Sequence, residues 1–383
     1  MTSSRREFLK ASAMVVGTSA LPMHALAQTQ GKSKLIGVAQ SAIDSKVCPA
    51  IQVSVMKSGI QLENIALGYG NLESLSFASP NTIFRIGSLT KQITGILILK
   101  LSGEGKVGLD EPASTYLPFL SKHSRFTIRE LLHHTAGIHD DQEAAALAGE
   151  VTQLKLAQII SDQKIFFDFQ PGTAWLYSNA NYILLGAIIE IVTSLNLKEG
   201  AARYITSKLS LSRTSYDDAS QVVIGRAAGY AFADSKSPIF VNAPWIDVAQ
   251  AGAAGAMRST ASELANLHQA LLFGNFLSDT EKVQFLTPGK LRDGRRSSTN
   301  RFSEHDREMG DVEYGFGVNL DTSTRDKSLI VHHNGFISGF SSYLATHIPS
   351  ELTVACLCNV DANPTLPFKE IRRLIFKDFL AVR

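Results

Sequence analysis

The chain has 383 residues, 44% of them hydrophobic and 19% charged, with a formal net charge of +2 at pH 7. That is length enough for a large core, in one elaborate domain or two intertwined lobes, and the near-even charge balance gives no polyanion signal. No basic run with interleaved aromatics points to nucleic acid, and no phosphate-cradling glycine loop or dinucleotide fingerprint is present.

The chain opens on Ser4-Arg5-Arg6-Glu7-Phe8-Leu9-Lys10, which looks like a twin-arginine export signal. A modestly apolar stretch, Ala11 to Leu21, follows, and Ala25-Leu26-Ala27 is a small-x-small cleavage site. The expected mature chain therefore begins at Gln28, in the periplasm or outside a bacterial cell. The apolar run is too short to span a membrane, and no cysteine near the cut supports a lipid anchor.

Beyond the signal the spacing predicts a helix over Lys34 to Ile43, then strands separated by Lys57-Ser58-Gly59 and by a turn near Gly68-Tyr69-Gly70. Helical apolar spacing returns at Thr90 to Lys100, Leu154 to Ser161, Asn181 to Ser194 and Ala261 to Leu272. Alternation resumes at Gly315 to Leu320, Ser328 to His332, Ser341 to Thr346 and Leu352 to Cys358, and an amphipathic helix, Phe368 to Leu380, closes the chain. Between these, Lys290 to Asp311 sets Arg292, Arg295, Arg296 and Arg301 against Glu304, Asp306, Glu308 and Asp311 and reads as a solvated surface loop. Strands from both ends thus share one sheet, with a helical region inserted.

Three short motifs carry chemistry: Ser88-Leu89-Thr90-Lys91, Tyr177-Ser178-Asn179 and His333-Asn334-Gly335. Each has decoys. Ser-x-x-Lys recurs at Ser54–Lys57 and Ser161–Lys164, and Tyr-x-Asn at Tyr69–Asn71. Context separates them. Gly87 and the helical run after Thr90 put Ser88 at a helix N-terminus, where unpaired N–H groups and the dipole favour an oxyanion. A spacing of three places Lys91 on the same face. Ser54 instead lies in the alternating run Ile51 to Met56, so Ser54 and Lys57 point to opposite faces. The bland alternative for Ser88 is a plain helix N-cap. Tyr177 follows the turn Pro171-Gly172-Thr173. A free phenol has a pKa of about 10, and a nearby Lys91 ammonium is expected to lower it enough for proton transfer. Which of the two is the base stays open.

These motifs, with Phe84 to Lys91, Gly105 to Asp110, Thr127 to Ile138, Ala251-Gly252 with Ser259-Thr260, Tyr314 to Gly317 and Gly339-Phe340, resemble the serine beta-lactamase and penicillin-binding group. The match is to its class C lactamase, D-alanyl-D-alanine carboxypeptidase and esterase branch, and covers most of the chain after about residue 45. The resemblance implies an α/β (α+β) fold: an antiparallel sheet from both termini flanked by helices, with the site in the groove beside an inserted helical lobe. The sheet lobe is expected at about 28–87 and 290–383, and the helical lobe at about 88–289. It further implies Ser88, Lys91 and Tyr177 as catalytic residues, Asn179 as the holder of Lys91 and the substrate amide, and the backbone N–H groups of Ser88 and Phe336 as the oxyanion hole. His333 and Gly335 would bind substrate. Class C lactamases carry Lys-Thr-Gly at the third motif; the permanent cation is absent here, and an unperturbed histidine is mostly neutral at pH 7. Lactam acylation is then expected to be weak and to improve as pH falls toward 6. The expected activity is hydrolysis of small esters, amides or D-alanyl peptides through an acyl-enzyme, the alternatives being a class C-like beta-lactamase or an idle binder of peptidoglycan peptides.

No cofactor or metal is called for. His133, His134 and His139-Asp140-Asp141 lack known zinc spacing, and their match to a structural loop of the group is the better account. No Gly-x-Ser-x-Gly elbow exists, which argues against an alpha/beta-hydrolase. The expected partners are a small-molecule or short-peptide substrate and, during secretion, the twin-arginine machinery. Cys356 and Cys358 share a strand face. Were the group's strand order to hold, Cys48 would approach Cys358, and export would permit a bridge there that sequence alone does not establish.

Overall fold

The computed structural model describes residues 23–123, 125–140, 151–234, 238–322 and 327–378. The Arg5-Arg6 pair lies outside the described residues, and Ala25-Leu26-Ala27 falls within the first helix, α1 (Met23–Asp44).

The centre is an eight-stranded sheet. Its strands are β1 (Ala50–Lys57), β2 (Ile60–Asn71), β3 (Ser76–Phe77), β4 (Glu313–Tyr314), β5 (Asn319–Asp321), β6 (Ile330–Ile337), β7 (Phe340–His347) and β8 (Leu352–Cys358). They run in the order β3-β2-β1-β8-β7-β6-β5-β4, all antiparallel. Ile51 faces Cys358 and Lys57 faces Leu352, so the first and last long strands are neighbours. Both are buried on both faces, β1 with Gln52 and Ser54 among its apolar residues, as in a strand covered on each side. On one face Leu35, Ala39 and Ala42 of α1, at helical spacing, join Ile371 and Ile375 of the closing helix (Phe368–Asp378) over Val53, Val55, Val354 and Cys356. The other face packs on the helical insert, including the helix Ala261–Leu272. Buried Gln52 ties the two together: its Nε2 donates to Ser79 O at 2.8 Å, and its Oε1 accepts from Ala261 N at 2.6 Å.

Three expectations need correction. No turn breaks the chain at Gly68-Tyr69-Gly70; β2 runs through it, with only a register shift against β3. The predicted strand Gly315 to Leu320 is two short strands, because Phe316 and Gly317 leave the ladder to press on the backbone of Lys91 and Gly95. The charged stretch is not a solvated loop throughout. Arg301 is buried with its guanidinium 4.3 Å from the Trp175 ring centroid, and Arg296 pairs with buried Glu313. The strand order does bring Cys48 and Cys358 into contact, and the bridge left open by the sequence is not formed: Cys48, Cys356 and Cys358 are buried free thiols.

Candidate active site

The site forms where the helical insert meets the β6 end of the sheet. Phe84–Arg85 pairs with Met257–Ser259, and Ile86 N bonds to Met257 O at 2.9 Å. The chain then makes one 3-10 turn, Gly87–Leu89, and enters the helix α2 (Thr90–Gly103). Ser88 does not act as a cap, since the cap of α2 is Leu89 and makes no side-chain bond. The hydroxyl of Thr90 does the local tying instead, donating to Gly87 O at 2.7 Å and accepting from Met257 N at 3.1 Å. The Ser88 hydroxyl is left free for Lys91.

Lys91 is fully buried. Its Nζ has three polar neighbours: Ser88 Oγ at 3.1 Å, Asn179 Oδ1 at 2.7 Å and Ala254 O at 3.0 Å. Two of these are carbonyl oxygens, which only accept. A neutral amine gives its two protons to them and aims its lone pair at Ser88, as a general base requires. Burial lowers the Lys91 pKa to about 7, against the opposing pull of Asp140, so the neutral amine is well populated at neutral pH.

Tyr177 is placed differently from expectation. Its ring lies under Lys91, with Nζ 4.7 Å from the centroid. The ammonium therefore faces the ring rather than the hydroxyl. The hydroxyl is buried beside Ser88 but makes no hydrogen bond of normal geometry. Burial pushes this phenol above its ordinary value, and Ser88 offsets that only in part. The expected lowering by Lys91 does not occur. Tyr177 stays a neutral phenol, suited to donate a proton rather than to take one.

Gly335 and Gly87 set the approach of the sheet. A Cβ on Gly335 would lie 2.0 Å from Ile86 O, and one on Gly87, whose φ is +51°, would lie 2.6 Å from Phe336 N. Only glycines allow this contact. Ile337 and Phe340 close the turn between β6 and β7, so Phe336 sits at a non-hydrogen-bonded position of the ladder. Its N–H points away from β7 toward Gly87, where β5 no longer pairs with β6. The contact brings the β6 backbone beside the turn that carries Ser88.

The decoy serines lie elsewhere. Ser54 is inside the sheet, accepting from Gln61 Nε2 at 3.3 Å, and Ser161 is buried against His123 while Lys164 is exposed.

A family model described as Beta-lactamase matches residues 35–376. The chain belongs to the beta-lactamase family. It is 26% identical to penicillin-binding protein 4* of Bacillus subtilis (strain 168) over 81% of this chain and 68% of that protein. It is 27% identical to protein flp of Staphylococcus aureus (strain N315) over 82% of this chain and 60% of that protein. In fold it is similar to D-amino acid amidase from Ochrobactrum anthropi SV3, with a TM-score of 0.74 at 21% identity over 92% and 98% of the two chains. It also resembles the octameric penicillin-binding protein homologue from Pyrococcus abyssi, with a TM-score of 0.75 at 23% identity over 91% and 77%. The chain is thus a serine hydrolase of the beta-lactamase-related kind.

Against that family frame, the third motif does something the sequence did not reveal. His333 is buried, and both ring nitrogens are used inside the protein. Nδ1 faces Asn334 O, and Nε2 lies 3.0 Å from the Tyr314 hydroxyl. These partners assign the proton to Nδ1 and leave Nε2 accepting from Tyr314. Burial and the nearby Lys91 lower the His333 pKa to about 3. The expected gain of lactam acylation toward pH 6 therefore has no basis, because the imidazole does not protonate there. Nor does His333 offer a free N–H to substrate; it stiffens the strand from behind.

Sequence reasoning also missed Asp140, Ala254, Tyr314 and the role of His134. Asp140 Oδ2 accepts from Asn179 N at 2.9 Å and from Asn179 Nδ2 at 3.0 Å. His134 Nδ1 accepts from Ser178 N at 3.2 Å and lies 3.0 Å from Asn181 Nδ2, pinning the start of the helix α3 (Asn179–Thr193). In the sequence Asp140 stands only in a His-Asp-Asp run that suggests a metal ligand. Ala254 acts through its carbonyl, which no side-chain pattern discloses. Tyr314 stood in a matching block without a role.

Proposed function

We propose that this protein is an exported serine hydrolase that acylates Ser88 with small ester or amide substrates, D-alanyl peptides among them. The contact of Lys91 Nζ with Ser88 Oγ, with two carbonyls taking the amine's other directions, carries this reading. In the reaction the Ser88 proton passes to Lys91 as Oγ attacks the substrate carbonyl. The oxyanion lies against the N–H groups of Ser88 and Phe336. As the intermediate collapses, the leaving group takes a proton from the Lys91–Tyr177 pair, and water later releases the acyl group by the reverse path. An idle peptide binder has no use for a buried lysine held near neutrality, which costs stability. The amidase among similar folds favours amide bonds beside a D-centre. A third motif without a cation favours uncharged substrates over lactams that carry a carboxylate.

Mass spectrometry tests the nucleophile. A fluorophosphonate should add once to the wild type and to Ser54→Ala and Ser161→Ala, and not to Ser88→Ala. An adduct surviving in Ser88→Ala sinks the assignment. Turnover of p-nitrophenyl esters, D-alanyl peptides and cephalosporins by the same preparation ranks the substrates; equal rates on ester and cephalosporin would refute the substrate preference.

Export rests on the Arg5-Arg6 pair and the Ala25-Leu26-Ala27 site. Edman sequencing of secreted protein should begin at Gln28, and replacing both arginines by lysine should leave precursor inside the cell. Secreted protein that begins at Met1 would refute cleavage.

A further inference from the structure

The amide of Asn179 has two ends that differ only by a proton pattern, and catalysis depends on which end meets Lys91. Its Oδ1 lies 2.7 Å from Lys91 Nζ, and its Nδ2 lies 3.0 Å from Asp140 Oδ2. The same carboxylate oxygen accepts from Asn179 N at 2.9 Å. A carboxylate only accepts, so it admits the NH2 end and turns the carbonyl end toward the lysine. Reversed, the amide would set N–H donors against an amine whose remaining neighbours are Ala254 O and Ser88. A neutral Lys91 would then spend its lone pair on Asn179 rather than on Ser88.

We propose that Asp140 is a positioning residue for acylation: it locks the Asn179 amide with its oxygen toward Lys91, and it is the anion set against that lysine. This role rests on the reading of Lys91 as the base.

The surroundings leave the electrostatic part to Asp140. Of the groups around Lys91, Tyr177 and Tyr182 present ring faces, with Nζ 4.7 and 5.7 Å from their centroids, and both phenols are pushed upward by burial. His134 and His333 are buried and driven downward by burial and by Lys91 itself, so they stay neutral. The Gly252–Gly255 turn contributes a carbonyl, and the Phe316-Gly317 bend brings backbone only. Among the described residues, Asp140 is the charged group that opposes the burial of Lys91.

The two parts separate by substitution. Asp140→Asn keeps an acceptor for both Asn179 bonds and loses the charge. Asp140→Ala loses both. The readout is the rate of Ser88 phosphonylation by a fluorophosphonate, with loss of fluoride, against pH, which needs no knowledge of the physiological substrate. The wild type should show an acid limb near pH 7, where Lys91 titrates. In Asp140→Asn that limb should move down by about one unit, because an anion at this range favours the protonated lysine. In Asp140→Ala the plateau should also fall by about tenfold or more, as the amide becomes free to reverse. Asp140→Asn has nearly the same shape as the wild type, so a matching near-ultraviolet circular dichroism spectrum makes its profile decisive even if Asp140→Ala folds poorly. A limb in Asp140→Asn that coincides with the wild type, or moves up, overturns the proposal while leaving the lysine-base reading intact. A limb that persists in Lys91→Ala overturns the lysine-base reading itself, and this role with it.

Discussion

Lys91→Ala should lower kcat by at least about two orders of magnitude, the usual size of a lost acid/base group. The wild-type profile supplies the sign. With Lys91 as the proposed base the active form is the neutral amine, so kcat/KM should rise with pH through about 7 and level off above it. Below that limb the rate should fall about tenfold per pH unit. No alkaline limb from Tyr177 should follow in the accessible range, since burial holds that phenol above its ordinary value. Tyr177→Phe should cost a similar factor in kcat and leave stability unchanged or slightly improved. Its ring, which carries the contact with Lys91, remains, and the lost hydroxyl is buried without a proper partner. The two residues share one proton path, so the double variant should be little worse than the poorer single one. Steady-state kinetics with a p-nitrophenyl ester from pH 5 to 9, beside thermal melts, checks all of this. Strictly additive losses, or a Tyr177→Phe enzyme that melts several degrees lower, would show that the tyrosine serves packing rather than proton transfer.

Gly335→Ala should be severely damaging to the site. The added carbon would sit 2.0 Å from Ile86 O and 2.3 Å from Ser342 Oγ, and Ser342 Oγ itself donates to Ile86 O at 2.8 Å. The first obstacle is backbone, so no side-chain rotation relieves it. Strand β6 must retreat from the Gly87–Leu89 turn, and the Phe336 N–H moves away from Ser88. Loss of one oxyanion donor lowers kcat by about 10²–10³, and the strain should cost about 2–4 kcal/mol of stability. Fluorophosphonate labelling rates and urea melts measure the two effects. Gly37→Ala is the control: it lies in α1 with nothing within 4 Å, and it should be neutral or mildly stabilising. Wild-type labelling by Gly335→Ala would mean that Phe336 N–H is not part of the pocket.

Much of the fold is local in origin and therefore legible in the chain. The helix Ala261–Leu272 and the strand Leu352–Cys358 have the bounds that apolar spacing predicts, because each element's buried face is written in its own residues. Where spacing misled, a distant partner was responsible. Phe316-Gly317 fits a strand until the backbone of Lys91 claims it. The charges of residues 290–311 read as solvated until Trp175 and Glu313 cover Arg301 and Arg296. In the site, Ser88 and Lys91 were legible because three residues along a helix make neighbours. Asn179, Tyr177 and Gly335 became legible through the resemblance their blocks carry.

Protonation was not legible, since it depends on burial and on partners supplied by remote segments. The sequence sets the serine proposed as nucleophile, the amine one helical turn away, and the glycines that permit a strand to close on them. The tertiary structure alone decides that Lys91 is dry enough to lose its proton near pH 7, that Tyr177 keeps its own, and that His333 is spent on Tyr314 and Asn334. It also places Asp140 behind Asn179. The reason is physical: side-chain type fixes which protons can move, whereas desolvation and the directions of surrounding carbonyls fix which of them do.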